Sequence, residues 1–222
     1  MRRPLAITAL TGALILPCQA HAHPGAPHEW AEATRAMAED PFAVQPRLSR
    51  ASVARREGRR LTAYFEARWA RALAPHDAAP HRALGLAALD LGWRAEGLAA
   101  LSAFFAAGGE DLEARVARAR IRWAEHQPEA ALEDLDRALA LTPDPTATLL
   151  RAEWQRAQGR LPEAAAGLAD VLTRAQGALP VRRALVEAYL DLKQPELARA
   201  LLDAAPPEDP TWKALRARAA AR

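Results

Sequence analysis

Small apolar residues recur along this chain at a nearly constant interval. One series consists of Ala63, Gly97, Ala131, Ala164 and Ala198, and its successive spacings are 34, 34, 33 and 34. Twelve positions before these lie Ala51, Gly85, Ala119, Ala152 and Val186, and seven positions after them lie Ala70, Phe104, Ala138, Val171 and Ala205. A period of this length is typical of a helix pair that is repeated along one axis, because one pair cannot bury its apolar side alone.

Turn residues recur with the same period. Three Pro-Glu motifs share it: Gln127-Pro128-Glu129, Leu161-Pro162-Glu163 and Gln194-Pro195-Glu196. Proline at a first helical position loses no hydrogen bond, and an acid in the first turn meets the positive end of the helix dipole. These motifs predict the start of the second helix of a pair, helix B. The end of the first helix, helix A, is predicted at Gly58, Gly92 and Gly159, where a left-handed residue fits.

The repeated positions resemble those of the tetratricopeptide repeat (TPR), a family with small residues at positions 8 and 20, an aliphatic residue at 24, a small residue at 27 and proline at 32. The third repeat matches at Ala119, Ala131, Leu135, Ala138 and Pro143, and the similarity extends over about residues 44–212. Positions 8 and 20 are small because helices A and B cross there. The resemblance implies an all-α fold, a right-handed α-α superhelical solenoid of about five helix pairs.

The expected organisation follows from this register. Residues 44–210 are predicted to form the solenoid, and residues 23–43 a disordered start and an N-terminal capping helix. The start is expected at residues 23–27, with the helix from His28 to Asp40. Residues 211–222 are predicted to form a C-terminal capping helix with Thr211 as its N-cap. The predicted repeats are 44–77, 78–111, 112–144, 145–178 and 179–212.

The segment 1–22 has the pattern of a cleaved signal peptide. Arg2 and Arg3 precede an apolar stretch over positions 5–16, and Ala20-His21-Ala22 supplies a small-x-small cleavage site. This stretch is too short to span a bilayer as a helix. Cleavage after Ala22 and a periplasmic or secreted location are therefore predicted. A lipid anchor at Cys18 is the less favoured alternative, because bulky residues precede this cysteine.

Charge and cysteine content limit the function further. Without residues 1–22 the chain has no cysteine, and 28 basic residues balance 27 acidic ones. Such a balance does not favour nucleic-acid binding. The chain lacks sequence motifs for a nucleophile, a phosphate loop or a zinc protease, so neither an enzyme nor a cofactor is expected.

The TPR resemblance implies a binding groove lined by helix A. The predicted groove residues, with at least one arginine from each repeat, are Arg55, Arg82, Leu86, Val116, Arg120, Trp123, Arg156 and Arg183. Guanidinium groups bind carboxylates in a bidentate way, and the apolar residues could hold side chains of a peptide. The predicted function is therefore a non-catalytic scaffold that binds a peptide segment or another exported protein. The oligomeric state is left open.

Two alternatives accompany this prediction. The arginines could instead cover a solvated helix face and pair with acids such as Asp90 and Glu153, which contributes little energy. Trp154 is expected to pack between helices rather than to bind a partner. The second alternative is a copper- or nickel-binding amino terminus, where His23, assisted by His28, would supply nitrogen ligands.

Overall fold

The structure is a computed structural model that describes residues 26–174, 178–206 and 209–221. These ranges contain twelve α-helices and no strand. The helices are α1 (Ala26–Glu39), α2 (Val44–Arg56), α3 (Arg60–Leu73), α4 (Ala78–Asp90), α5 (Arg94–Ala106), α6 (Leu112–Ala124), α7 (Pro128–Leu141), α8 (Pro145–Ala157), α9 (Leu161–Arg174), α10 (Leu179–Asp191), α11 (Pro195–Leu202) and α12 (Pro210–Ala220). The predicted signal peptide, including Cys18, lies outside the described residues.

Each helix packs mainly on its neighbours in the chain. The pairs are α2–α3, α4–α5, α6–α7, α8–α9 and α10–α11, and each is joined to the next pair by further contacts. α1 packs on α2 at one end, and α12 packs on α10 and α11 at the other. The described residues thus form an all-α repeat solenoid, as predicted. None of the described helices combines the length and the apolar composition that crossing a bilayer requires.

The small residues predicted at the helix crossings are buried. Ala63, Ala131 and Ala164 are at most 1% exposed. In the second pair, a Cβ atom added at Gly85 would lie 2.7 Å from Leu101 Cδ2. Helix A and helix B therefore approach each other to a distance that excludes larger side chains.

Each helix A ends in the same backbone conformation. The residue two positions after the end of the helix has a positive φ in all five pairs: Gly58 (+70°), Gly92 (+80°), His126 (+59°), Gly159 (+75°) and Lys193 (+58°). Glycine adopts this conformation without strain. The left-handed ends predicted at three glycines are confirmed, and a histidine and a lysine take the equivalent place in the other two pairs.

The end helices differ in detail from the prediction. α1 begins at Ala26, two residues before the predicted His28, because Pro27 fits a first turn in which its missing N–H has no helical partner. Asp209, and not Thr211, is the N-cap of α12. The Asp209 carboxylate accepts a hydrogen bond from the Thr211 N–H at 2.7 Å. Thr211 is itself the second residue of the helix, so it cannot act as the N-cap. α12 then buries Trp212 and Leu215 against the last helix pair.

A buried ionic cluster fixes the third helix pair. Asp134 on α7 is 1% exposed. It accepts hydrogen bonds at 2.9 Å from Arg118 Nε and from Arg122 Nη1, both on α6. The guanidinium groups of Arg118 and of the neighbouring Arg115 lie 4.2 and 4.3 Å from the ring centre of Phe105 on α5. The cluster therefore joins α5, α6 and α7, and so positions α6 against the second helix pair.

We expect the variant Ala131→Arg to destabilise the protein by at least about 1–3 kcal/mol, because the larger side chain would overpack the buried crossing. Thermal unfolding followed by circular dichroism measures the effect. Ala140→Arg is the matched control, since Ala140 lies exposed on the same helix. An unchanged melting temperature of Ala131→Arg would contradict the assigned register.

We expect Asp134→Asn to cost about 3–5 kcal/mol, because it leaves the buried guanidinium of Arg118 without a counter-charge. The free energy of unfolding can be obtained from urea titration. Asp136→Asn on the same helix is the control, and it removes an ion pair with Arg151. The Asp136 carboxylate is 60% exposed. This control should cost at most about 1 kcal/mol. Equal effects of the two variants would show that the cluster contributes no more than a surface pair.

Candidate functional site

A cavity of about 760 Å³ lies between α2, α4 and the start of α6. Three of the predicted groove residues line it: Arg55, Arg82 and Leu86. The other five do not: Val116, Arg120, Trp123, Arg156 and Arg183. The structure therefore brings only part of the predicted groove into one cavity, on the first three helix pairs.

The walls of the cavity combine apolar and cationic side chains. Leu48 on α2 and Leu86 on α4 face it together with several alanines. Its charged lining consists of four arginines and two acids: Arg55, Arg56, Arg60, Arg82, Asp90 and Glu113. The lining thus carries an excess of positive charge above an apolar floor.

Glu113 bridges two of these arginines. Arg55 Nη1 donates to Glu113 Oε1 at 2.7 Å, and Arg82 Nη2 donates to Glu113 Oε2 at 2.9 Å. The three residues come from three consecutive A helices, α2, α4 and α6. The two guanidinium groups therefore already hold one carboxylate between them.

Both arginines also have a second acidic partner. Arg55 Nε donates to Asp90 Oδ2 at 2.6 Å. Arg82 Nε lies 3.0 Å from Oδ1 of Asp111, the N-cap residue of α6. Burial lowers the pKa of Arg55, but hydrogen bonds from Arg55 to Asp90 and Glu113 and the charges of these acids outweigh burial and raise it. Arg55 therefore remains cationic at every physiological pH.

The fourth and fifth helix pairs repeat one of these ion pairs. Arg156 Nη2 donates to Asp191 Oδ2 at 2.7 Å, and both pairs, Arg55–Asp90 and Arg156–Asp191, join residues 35 positions apart. Arg183 is half exposed and lies 3.9 Å from Glu187. The alternative interpretation, in which the arginines pair with acids, therefore holds for Asp90, which pairs with Arg55. Glu153, which was named with it, has no ion-pair partner among the described residues.

Two tryptophans stack between the third and fourth helix pairs. The rings of Trp123 and Trp154 are parallel within 2°, with centres 4.7 Å apart. Trp154 is buried, as predicted, whereas Trp123 is half-buried, and Val116 packs in the same cluster. Arg120 is exposed and has no acidic partner within the described ranges. These residues form a separate, more open surface beside the cavity.

Sequence reasoning missed the bridging role of Glu113. The available signal was an acid at position 2 of the third repeat, together with an arginine at position 12 of the first repeat and an arginine at position 5 of the second. It also missed the cluster around Asp134, whose counterpart two repeats earlier is the buried Glu66 with Arg47 and Arg50.

The histidines form no metal site in the described part of the chain, where no three His, Cys, Asp or Glu side chains come together. Nδ1 of His28 lies 3.4 Å from Glu32 Oε2, and both side chains are largely exposed. His23 lies outside the described residues, so metal binding by the amino terminus stays a prediction.

Comparisons with known proteins identify the repeat. The tetratricopeptide-repeat family model matches residues 155–219. No curated protein sequence is significantly similar to the chain.

Several solved structures share the fold. YrrB, a TPR protein with an unusual peptide-binding site, is 19% identical and has a TM-score of 0.66, with 85% of this chain and 96% of YrrB covered. PilW, a widely conserved type IV pilus biogenesis factor, is 18% identical with a TM-score of 0.69, over 87% of this chain and 91% of PilW. PilF of Pseudomonas aeruginosa is 15% identical with a TM-score of 0.68, over 87% of this chain and 90% of PilF.

At these identities the solved structures establish the fold, and the family model identifies the sequence pattern of the repeat. Residues 155–219 thus match the tetratricopeptide repeat by sequence, and the described residues as a whole share the fold of solved tetratricopeptide-repeat proteins.

Proposed function

We propose that the chain is a non-catalytic scaffold that binds a segment of another exported protein in the cavity of the first three helix pairs. Repeat proteins of this fold are generally interaction scaffolds. The observation that carries the proposal is the pair of guanidinium groups, Arg55 and Arg82, that holds the Glu113 carboxylate above an apolar floor. The site of binding and the periplasmic location are both part of the proposal.

The chemistry of the cavity favours a segment with a carboxylate next to an apolar side chain. Guanidinium groups held in place by Asp90 and Asp111 need little reordering to accept a second carboxylate, so they bind it at a lower entropic cost. Leu48 and Leu86 would contact the apolar side chain. YrrB, which has the same fold, has a peptide-binding site.

The volume of the cavity is suited to a short stretch of peptide rather than to a whole domain. About 760 Å³ lies within the range of small-ligand sites. A second recess of about 600 Å³ between α1 and α2 shares Leu48, Ser52 and Arg56 with the cavity. An extended segment could therefore continue from α4 across α2 towards α1.

We expect Ala79→Trp to abolish partner capture from a periplasmic extract, because Ala79 is exposed in the cavity wall and a tryptophan there would fill the space. Quantitative affinity capture with mass spectrometry measures the effect. Ala95→Trp is the matched control, since Ala95 is exposed on α5 and does not line the cavity. A partner that both variants retain equally binds elsewhere on the molecule and refutes the proposed site.

We expect Glu113→Gln to strengthen binding of the captured partner about two- to fivefold, since it removes a partly exposed internal carboxylate from the two guanidinium groups. Titration of the purified partner by calorimetry gives the affinity. Glu133→Gln removes an ion pair of similar exposure with Arg137 outside the cavity and should leave the affinity unchanged. Weaker binding by Glu113→Gln would mean that the partner needs this carboxylate and presents a cation instead.

A further inference from the structure

The outer side of α3 exposes large apolar side chains in a helical row. Leu61, Phe65 and Trp69 follow one another at intervals of four residues, and they are 55%, 49% and 59% exposed. The opposite side of α3 buries Ala63, Ala67 and Ala70 in the core. One helix thus has an alanine side that packs in the core and an aromatic side that is largely exposed.

Two further rings extend this row in both directions. Phe42 is 76% exposed and follows Pro41 in the chain. The Pro41 carbonyl accepts a hydrogen bond from Arg47, and the Arg47 guanidinium lies 5.4 Å from the Trp69 ring centre. At the other end Trp93, 42% exposed, packs edge-on against Tyr64, which also contacts Phe65. We define the α3 aromatic face as Phe42, Leu61, Phe65, Trp69 and Trp93.

This clustering is not explained by the composition of the chain. Aromatic residues make up only 5% of the sequence, and the four that are exposed all belong to the α3 aromatic face. The other exposed large apolar residues are single leucines on other helices: Leu141, Leu179 and Leu197. Contiguous exposed apolar surface of this kind marks an interaction site.

The exposed charged residues of α3 are cationic, whereas Asp40 and Glu96 lie beside the two ends of the face. Arg68 and Arg71 are exposed on α3, and Arg94 is exposed next to Trp93. The one acid of α3, Glu66, is buried and bonded to Arg47 and Arg50. The exposed surface of this helix is therefore aromatic and cationic, without a carboxylate.

We propose that the α3 aromatic face binds the surface of a bilayer that contains anionic phospholipids. Tryptophan and phenylalanine rings are stabilised at the boundary between headgroups and acyl chains, and arginines beside them bind lipid phosphates. Binding of this kind requires side chains that project from a surface, and neither of the two cavities described above is lined by a residue of the face.

Charge and shape disfavour the other occupants. A second copy that docked face to face would bring Arg68 and Arg71 of both copies together, which costs energy. An amphipathic helix of another protein would need a groove for its apolar side. The face is also separate from the cavity of the proposed function, so membrane binding and partner binding can occur together and are tested independently.

The first experiment measures partitioning of the purified full chain onto vesicles. We expect binding to vesicles of phosphatidylglycerol mixed with phosphatidylcholine and weak binding to vesicles of phosphatidylcholine alone. Phe65→Ser/Trp69→Ser should reduce partitioning at least about tenfold. Leu141→Ser/Leu197→Ser, which removes two equally exposed apolar residues elsewhere, is the matched control and should bind like the wild type. All variants have the same amino terminus, so any contribution of residues 1–22 is common to them.

Charge and depth are tested with two further variants. Arg68→Glu/Arg71→Glu should reduce binding to the anionic vesicles at least about tenfold and abolish its dependence on phosphatidylglycerol. Phospholipids with brominated acyl chains should quench tryptophan fluorescence in the wild type. Trp69→Phe/Trp93→Phe should retain binding and lose most of the quenching, which a loss of folding could not produce.

Three results would overturn the proposal. One is equal partitioning of the wild type and Phe65→Ser/Trp69→Ser. Another is concentration-dependent self-association in light scattering that the same double variant abolishes, which would assign the face to a second copy. The third is that the wild type does not bind anionic vesicles at low salt but captures an acidic protein that Phe65→Ser/Trp69→Ser does not capture.

Discussion

The two helices of each repeat approach closely because most of the residues where they cross have a methyl group or no side chain. Ala131 and Ala164 are fully buried at two such crossings, and Gly85 leaves no room for a Cβ atom at a third. This distance determines how far one repeat lies from the next. Residues 35 positions apart consequently meet in the same way at both ends of the solenoid, as Arg55–Asp90 and Arg156–Asp191 do. The geometry of the cavity is thus a consequence of the small residues.

The repeat could be predicted from the sequence because its constraint is local and recurs. A crossing that excludes side chains leaves the same mark in every repeat, and the five helix pairs make that mark visible without any relative. The left-handed helix ends were predictable for the same reason at Gly58, Gly92 and Gly159. They were not predicted at His126 and Lys193, since residue type alone does not indicate a positive φ in a histidine or a lysine.

The site was less predictable, because it depends on side-chain partners from different repeats. The positions of Arg55 and Arg82 followed from the resemblance, but the bridge by Glu113 depends on the offset between three A helices. The N-cap at Asp209 depends on a choice between neighbouring polar residues that each could cap a helix. Asp134 was missed for a different reason. A buried carboxylate that occurs only in the first and third repeats, as Glu66 and Asp134, leaves a weak periodic signal.

The Asp134 cluster connects the fold to the site. Arg118 and Arg122 extend from α6 to Asp134 on α7, while Glu113 extends from the first turn of the same α6 into the cavity. Fixing α6 from the α7 side therefore fixes the position of Glu113 relative to Arg55. The Arg118 guanidinium also packs on the Phe105 ring of α5, so that the joint between the second and third helix pairs is held by charge and by an aromatic contact. A flexible joint here would let the Glu113 carboxylate drift from guanidinium groups on two other repeats, and the cavity would lose its preformed geometry. The buried ionic cluster of the third helix pair thus lies where the cavity needs a rigid wall.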